Sequence, residues 1–143
     1  VTDPTPAPLS KDDFVELARF RFGIRRYLRF SERTVRSHGL TPQQYQLLLA
    51  LLGEPGREWA TIQELADRLL VRHHSAVELV DRAQERGLVR RSRDPEDARR
   101  VRVQITTAGW DLMSRLSAMH RNELQELLPL LNPPARPIDD TYD

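Results

Sequence analysis

The feature that most restricts this chain's fold is a change of hydrophobic period at Gly87. Before that glycine, apolar residues recur at helical spacing. After it, Leu88-Val-Arg-Arg-Ser92 and Val101-Arg-Val-Gln-Ile105 alternate apolar with arginine or polar residues, the period-two pattern of short strands. The intervening Asp94-Pro-Glu-Asp-Ala-Arg-Arg100 is turn-rich and charged, so the pair is expected to close as a hairpin with a long tip. A small sheet is therefore set into an otherwise helical chain.

The helices carry their own punctuation. Phe14, Leu17, Arg21, Ile24, Leu28, Ser31 and Val35 fall at 3-4 spacing, with Phe20, Tyr27 and Phe30 widening the stripe, which predicts a long helix over Lys11–Ser37. Its apolar face is wider than one neighbour needs and points to a subunit interface. Gly39 closes it. Thr41, Pro42 and Gln44 form a complete start signal, with Leu40 and Tyr45 as the staple, for a buried leucine-rich helix over Gln43–Leu52. Gly53–Arg57 reads as a turn. Thr61-Ile-Gln-Glu64 is a second capping box opening a short helix to Leu69 or Leu70, and another helix covers His73–Arg86. Thr106 caps a last helix whose inward positions are expected to be Trp110, Met113, Leu116, His120, Leu124 and Leu127. Pro129 is expected to kink or restart it, and Asn132-Pro-Pro134 to end it. Residues 1–10 read as a disordered arm and 132–143 as a flexible acidic tail. Between them, 11–131 is expected to form one domain: helices 11–38 and 107–131 for dimerisation, and a lobe over 41–105.

Composition removes several function classes. There is no cysteine, so thiolate metal sites, cysteine nucleophiles and thiol redox sensing are excluded. No apolar run approaches the roughly 20 residues of a membrane span, and Val1–Leu9 lacks the layout of a secretory signal, so a cytoplasmic location is expected. Net charge is only +1, yet its distribution is polarised. Seven arginines lie between Phe14 and His38 against Glu16 and Glu32, and six lie between Arg90 and Arg102 against three acids. High-GC coding bias explains the arginine-to-lysine ratio but not these positions, which suit a face that meets phosphates.

The resulting order is helix, helix, short helix, turn, helix, hairpin, helix. This is a mainly α fold with a small β-hairpin wing (α+β), a winged helix-turn-helix between long terminal helices. Ala66, Leu69, Leu79, Val80 and Ala83 are placed between the two central helices, leaving His73, His74, Val77, Glu78, Asp81 and Arg82 to face outward, where such a helix fits the roughly 12 Å major groove.

Thr61-Ile-Gln-Glu-Leu-Ala-Asp-Arg-Leu, Leu79-Val-Asp-Arg, Glu85-Arg-Gly-Leu-Val-Arg90 and Asp94-Pro-Glu-Asp-Ala-Arg99, followed by Ile105-Thr106 and Gly109, resemble the multiple-antibiotic-resistance regulator (MarR) family. The resemblance covers about Ser10 to Pro129. It implies an obligate homodimer of winged-helix subunits joined through their terminal helices. The implied function is a transcriptional repressor on palindromic double-stranded DNA, released by a small phenolic or anionic effector. It places the recognition helix on His73–Arg86 and the wing's acid-x-arginine pair on Asp97 and Arg99, with the aspartate orienting an arginine that enters the minor groove. The implied DNA-binding set is His73, His74, Ser75, Val77, Glu78, Arg82, Arg91, Arg93, Asp97, Arg99 and Arg100. The dimer set is Phe14, Leu17, Ile24, Leu28, Leu116, Leu124 and Leu127. Two departures stand out. Ala98 occupies a position often held by arginine, so one phosphate contact is expected to be lost or moved to Arg100. Little chain follows Pro129, so the interface is expected to lean on the first helix and on Thr107–Leu128.

Plainer readings compete at several positions. Adjacent helical side chains point about 100° apart, so His73 and His74 cannot chelate one ion; no metal and no cofactor are expected. Ser75 and Glu78 fit either a local capping box or a DNA-facing pair. Asp81 is assigned to solvent or to a nearby arginine. Arg90, Arg91 and Arg102 are either a solvated strand face or, better, DNA contacts. Trp110 and Met113 are read as core. Arg21 pairs across the dimer or holds an anionic ligand, and no ligand-binding residue can be assigned. Two functions from other classes remain beside the regulator. One is a winged-helix protein-interaction module binding an acidic partner. The other is an enzyme, for which no glycine-rich loop or nucleophile–histidine set is present.

Overall fold

A computed structural model of the chain describes residues 7–133. Its elements are α1 (Lys11–Ser37), α2 (Pro42–Leu52), β1 (Trp59–Thr61), α3 (Ile62–Leu69), α4 (His73–Glu85), β2 (Val89–Arg93), β3 (Val101–Ile105) and α5 (Thr107–Leu131). Residues 1–6 and 134–143 of the expected arm and tail lie outside the described residues. Within the arm, Ser10 belongs to the fold: its hydroxyl accepts from the Asp13 N–H (3.2 Å), while its own N–H donates to the Asp13 carboxylate (2.8 Å), a capping box that starts α1.

Both capping boxes expected further on are formed. Thr41 and Gln44 exchange side-chain and backbone bonds at the head of α2, and Thr61 and Glu64 do so at the head of α3. By contrast, α4 begins at His73 behind Arg72, which makes no side-chain cap. Ser75 thus lies inside the helix, and the alternative Ser75–Glu78 box is not built.

The sheet has three strands where two were expected. β1 pairs antiparallel with β3 (Ala60 opposite Val103), and β2 pairs antiparallel with β3 (Arg91 opposite Val103), giving the order β1-β3-β2. Three residues are too few to show a period, and Thr61 doubles as the α3 cap, which hides the strand in the sequence.

The chain divides into two compact units. The unit Ser31–His120 closes around Val35, Leu47, Leu48, Leu51, Leu65, Val80, Val103, Met113 and Leu116, all essentially inaccessible. Gly109 is required here, because a Cβ would lie 2.3 Å from the Leu88 carbonyl oxygen. His120 is buried too, stacked on Tyr45 with its Nε2 2.7 Å from the Ser31 hydroxyl. In the other unit Gly23 lets Leu130 approach so closely that a Cβ would meet the Leu130 Cβ at 2.9 Å.

Three expectations about α5 are corrected. Trp110 is 54% exposed rather than core. The helix runs through Pro129 to Leu131, so the proline does not restart it. Leu116 and Leu127, expected at a subunit interface, are already covered by the chain itself. On α1, the half-buried side of the stripe is Phe20, Tyr27 and Phe30, while Phe14, Leu17, Ile24 and Leu28 stay exposed.

Candidate nucleic-acid interface

The interface begins with two short helices locked at a fixed angle. Leu65 and Ala66 of α3 and Ala76, Val80 and Ala83 of α4 are all fully buried; alanine at three of these five positions lets the backbones approach. Leu69 and Leu79 complete the contact as half-buried residues, as the spacing predicts. The turn between them is tight: Leu70 adopts the left-handed conformation (φ 56°), and the Val71 N–H returns to the Ala66 carbonyl at 3.0 Å.

This packing turns one face of α4 outward. His73, His74, Glu78 and Arg82 are exposed; Ser75 and Val77 are half-buried beside them. Asp81 is also exposed but is held by Arg91, which reaches across from β2 to bond Asp81 and Gln84 and approaches the Val77 carbonyl at 3.5 Å. Arg91, read from sequence as a DNA contact, is therefore engaged inside the protein, where it ties β2 to α4. Of the two options for Asp81, the intramolecular arginine is the one formed.

The hairpin loop is organised by its acids. Asp94 is buried and accepts from the Glu96 N–H (2.9 Å) and from Arg102 Nη2 (3.2 Å). These bonds, the Glu96 N–H foremost, hold its carboxyl below the ordinary carboxylate range against the opposing effect of burial. Backbone bonds from the Asp94 N–H to the Arg100 carbonyl (3.1 Å) and from the Arg100 N–H to the Asp97 carbonyl (2.9 Å) close the loop. At its tip Asp97 accepts from the Arg99 N–H (3.0 Å) and faces Arg99 Nε at 3.4 Å, leaving the Arg99 side chain 94% exposed. Arg93 and Arg100 are exposed on the same hairpin.

Arg102 differs from the solvated or DNA-facing residue expected. Besides Asp94, its guanidinium lies 3.9 Å from the centroid of the Trp59 ring, which also carries Arg57 at 4.1 Å. Arg57 in turn bonds Glu54 (2.9 Å) and Glu64, and Glu54 is 3.1 Å from Arg68. Sequence reasoning missed this cluster. Its only local signal was a tryptophan between a turn and a capping box. As for the histidines, His73 and His74 are both exposed, and His38 sits in the cap of α1 with Nδ1 2.9 Å from the Thr34 carbonyl.

A buttressed α3–α4 pair beside a three-stranded sheet whose loop projects an oriented arginine defines a winged helix-turn-helix protein. Residues 38–100 match the family model described as the MarR family. Over that stretch the chain is similar to this family of winged-helix transcriptional regulators. It is 27% identical over 119 residues to the HTH-type transcriptional regulator MhqR of Bacillus subtilis, covering 83% of this chain and 78% of that one. Among solved structures, a MarR family protein from Bacillus stearothermophilus superposes with a TM-score of 0.71 at 23% identity, covering 85% of this chain and 83% of the other. Bordetella bronchiseptica BpsR, whose DNA binding is regulated by 6-hydroxynicotinic acid, superposes with a TM-score of 0.62 at 23% identity, covering 79% and 83%. Among the described residues, no helix is long and apolar enough to cross a membrane.

Proposed function

We propose that the chain is a homodimeric, sequence-specific repressor that grips palindromic double-stranded DNA with two α4 helices and two wings. The observation that carries this reading is the wing tip. An arginine held by its neighbouring aspartate, and otherwise open to solvent, has no intramolecular task that needs it there. The negative potential of a narrow minor groove supplies one. His73, His74, Glu78 and Arg82 then face base edges and phosphates of the adjoining major groove, with Ser75 and Val77 at closer range, and Arg93 and Arg100 meet the backbone. Phe14, Leu17, Ile24 and Leu28, with Leu124, supply the apolar surface for the second subunit. Two recognition helices must then lie about 34 Å apart to enter successive grooves.

Release follows from the same geometry. An effector that changes this spacing uncouples the half-sites, and a hundred-fold loss needs only about 2.7 kcal/mol of coupling. A small phenolic or anionic molecule is proposed for that role, in keeping with the regulation of BpsR by a hydroxylated aromatic acid.

Selection from a random duplex library, then titration of the enriched site at two salt concentrations, tests the reading. A palindrome with half-sites one turn apart and a steep salt dependence is expected. Arg99→Ala should weaken that complex by about 1–3 kcal/mol, roughly five- to 150-fold, without changing fold or subunit number. No enriched sequence, or an Arg99→Ala protein that binds like wild type, would sink it.

A further inference from the structure

We infer that Trp59 is a positioning residue for the wing, setting its angle to the helix-turn-helix through the two arginines that share its indole; this rests on the DNA-binding reading above. The wing loop is closed on itself by the Asp94–Arg100 and Arg100–Asp97 backbone bonds, so its tip follows its root. That root is Asp94, whose carboxylate bonds Arg102 of β3. Arg102 lies over Trp59 of β1, and Trp59 also holds Arg57, which bonds Glu54 and Glu64. Glu64 completes the capping box with Thr61 at the head of α3, and Glu54 lies against Arg68 of the same helix. A continuous path therefore runs from wing root to α3, and α3 is packed on α4.

Charge explains why an indole occupies the middle. Two guanidiniums close to one another repel. Here each is paired with its own carboxylates, Arg102 with Asp94 and Arg57 with Glu54 and Glu64, and each is drawn to the π potential of the Trp59 ring. A planar indole is shared by two flat cations in a way that no aliphatic side chain matches. β1 itself pairs over only three residues, so its ladder alone gives the sheet a weak hold. On the far side of the sheet, Arg91 ties β2 to α4. Wing angle is thus fixed from both edges, and minor-groove reading tolerates little slack in such a support.

The test uses the full chain and the duplex selected by wild type, with a panel of single base-pair substitutions. Positions that matter to wild type and cease to matter in Arg99→Ala are those the wing reads. Trp59→Leu is expected to lower discrimination at those positions about ten-fold while leaving positions under α4 unchanged, and Trp59→Phe to restore most of it. Arg102→Lys, which keeps the charge but removes the flat face, is expected to give the same pattern and serves if Trp59→Leu does not fold. Equal weakening at every position, or unchanged discrimination at the wing positions, overturns the inference alone. A wild-type chain that enriches no duplex overturns the DNA reading and this inference with it.

Discussion

The two compact units treat their apolar residues in opposite ways. In Ser31–His120 the large side chains Leu47, Leu48, Leu65, Val80, Val103 and Leu116 are all at 0% exposure, covered by neighbours from α2, α3, α4, β3 and α5. In the other unit Gly23 and Leu130 meet closely and Leu127 is buried, yet Phe14 and Leu28 remain more than half exposed on the same α1 stretch. Exposed apolar surface of that kind costs free energy in water at about 25 cal/mol per Å², which association would recover. The difference teaches where function sits. The unit that carries α4 and the wing needs only its own chain to be shaped. The helical unit has apolar surface left over, which the proposed homodimer would cover.

The largest effect should come from spoiling that leftover surface. Phe14→Asp combined with Leu28→Asp is expected to give a monomer by sedimentation equilibrium, with the circular dichroism of the winged unit kept. Losing the second half-site should weaken binding to the full duplex about 10²–10⁴-fold. A wild-type chain that sediments as a monomer breaks the comparison outright. Next in size, Leu48→Ala opens a hole in the closed core and should cost about 3 kcal/mol in denaturant unfolding. Leu28→Ala, measured at protein concentrations low enough to separate subunits, should cost under about 1 kcal/mol. Similar losses at both sites would mean that Leu28 is covered by its own chain.

How much of this was legible in the sequence follows from how local each signal is. Caps declare themselves within four residues, so Thr41–Gln44 and Thr61–Glu64 were read correctly, and the β2–β3 hairpin was placed within a residue of its observed strands. The Asp97–Arg99 arrangement implied by the family motif is present as expected. What escaped depends on contacts distant in sequence. β1 is recognisable only when Ala60 is set opposite Val103, and Arg102 joins Asp94 and Trp59 only once three strands are assembled. Arg91 looked like a free strand cation because its partners, Asp81 and Gln84, lie on another element. On α1 the stripe was found, but periodicity does not say whether the chain or a partner covers it.

Leu70 sharpens the contrast on a smaller scale, since it is an apolar residue exposed within the otherwise closed unit. Its side chain is 92% exposed and its φ is 56°, a conformation that costs an L-residue roughly 1–2 kcal/mol. The conformation closes α3, with the Leu70 N–H on the Asp67 carbonyl and the Val71 N–H on that of Ala66, but these are backbone bonds that do not need the isobutyl group. Leu70→Asn, which tolerates the left-handed region, is expected to raise stability by about 1 kcal/mol, read as an upward shift in Tm. A fall in Tm would show that the isobutyl group has a partner the isolated chain does not reveal.

The smallest effect belongs to acid. Asp94 is buried where the wing meets β3, and its carboxyl is held below its ordinary 3.8, first by the Glu96 N–H and then by Arg102. A depressed carboxylate stabilises the folded state above its unfolded pKa and loses that contribution as pH falls through the folded value. Above about pH 5 the wing root should therefore be insensitive to pH. Below the ordinary carboxylate range, protonation removes the charge that Arg102 and the Glu96 N–H bind, and the loop should loosen while α4 remains packed. Amide exchange across Glu96–Arg100, followed through an acid titration, checks this. Asp94→Asn should show the loosened loop at neutral pH and no further acid step. If protection in the loop instead fell together with that of Val80 and Leu65, the wing would not be a separately loosened element, and its root would be an integral part of the closed core.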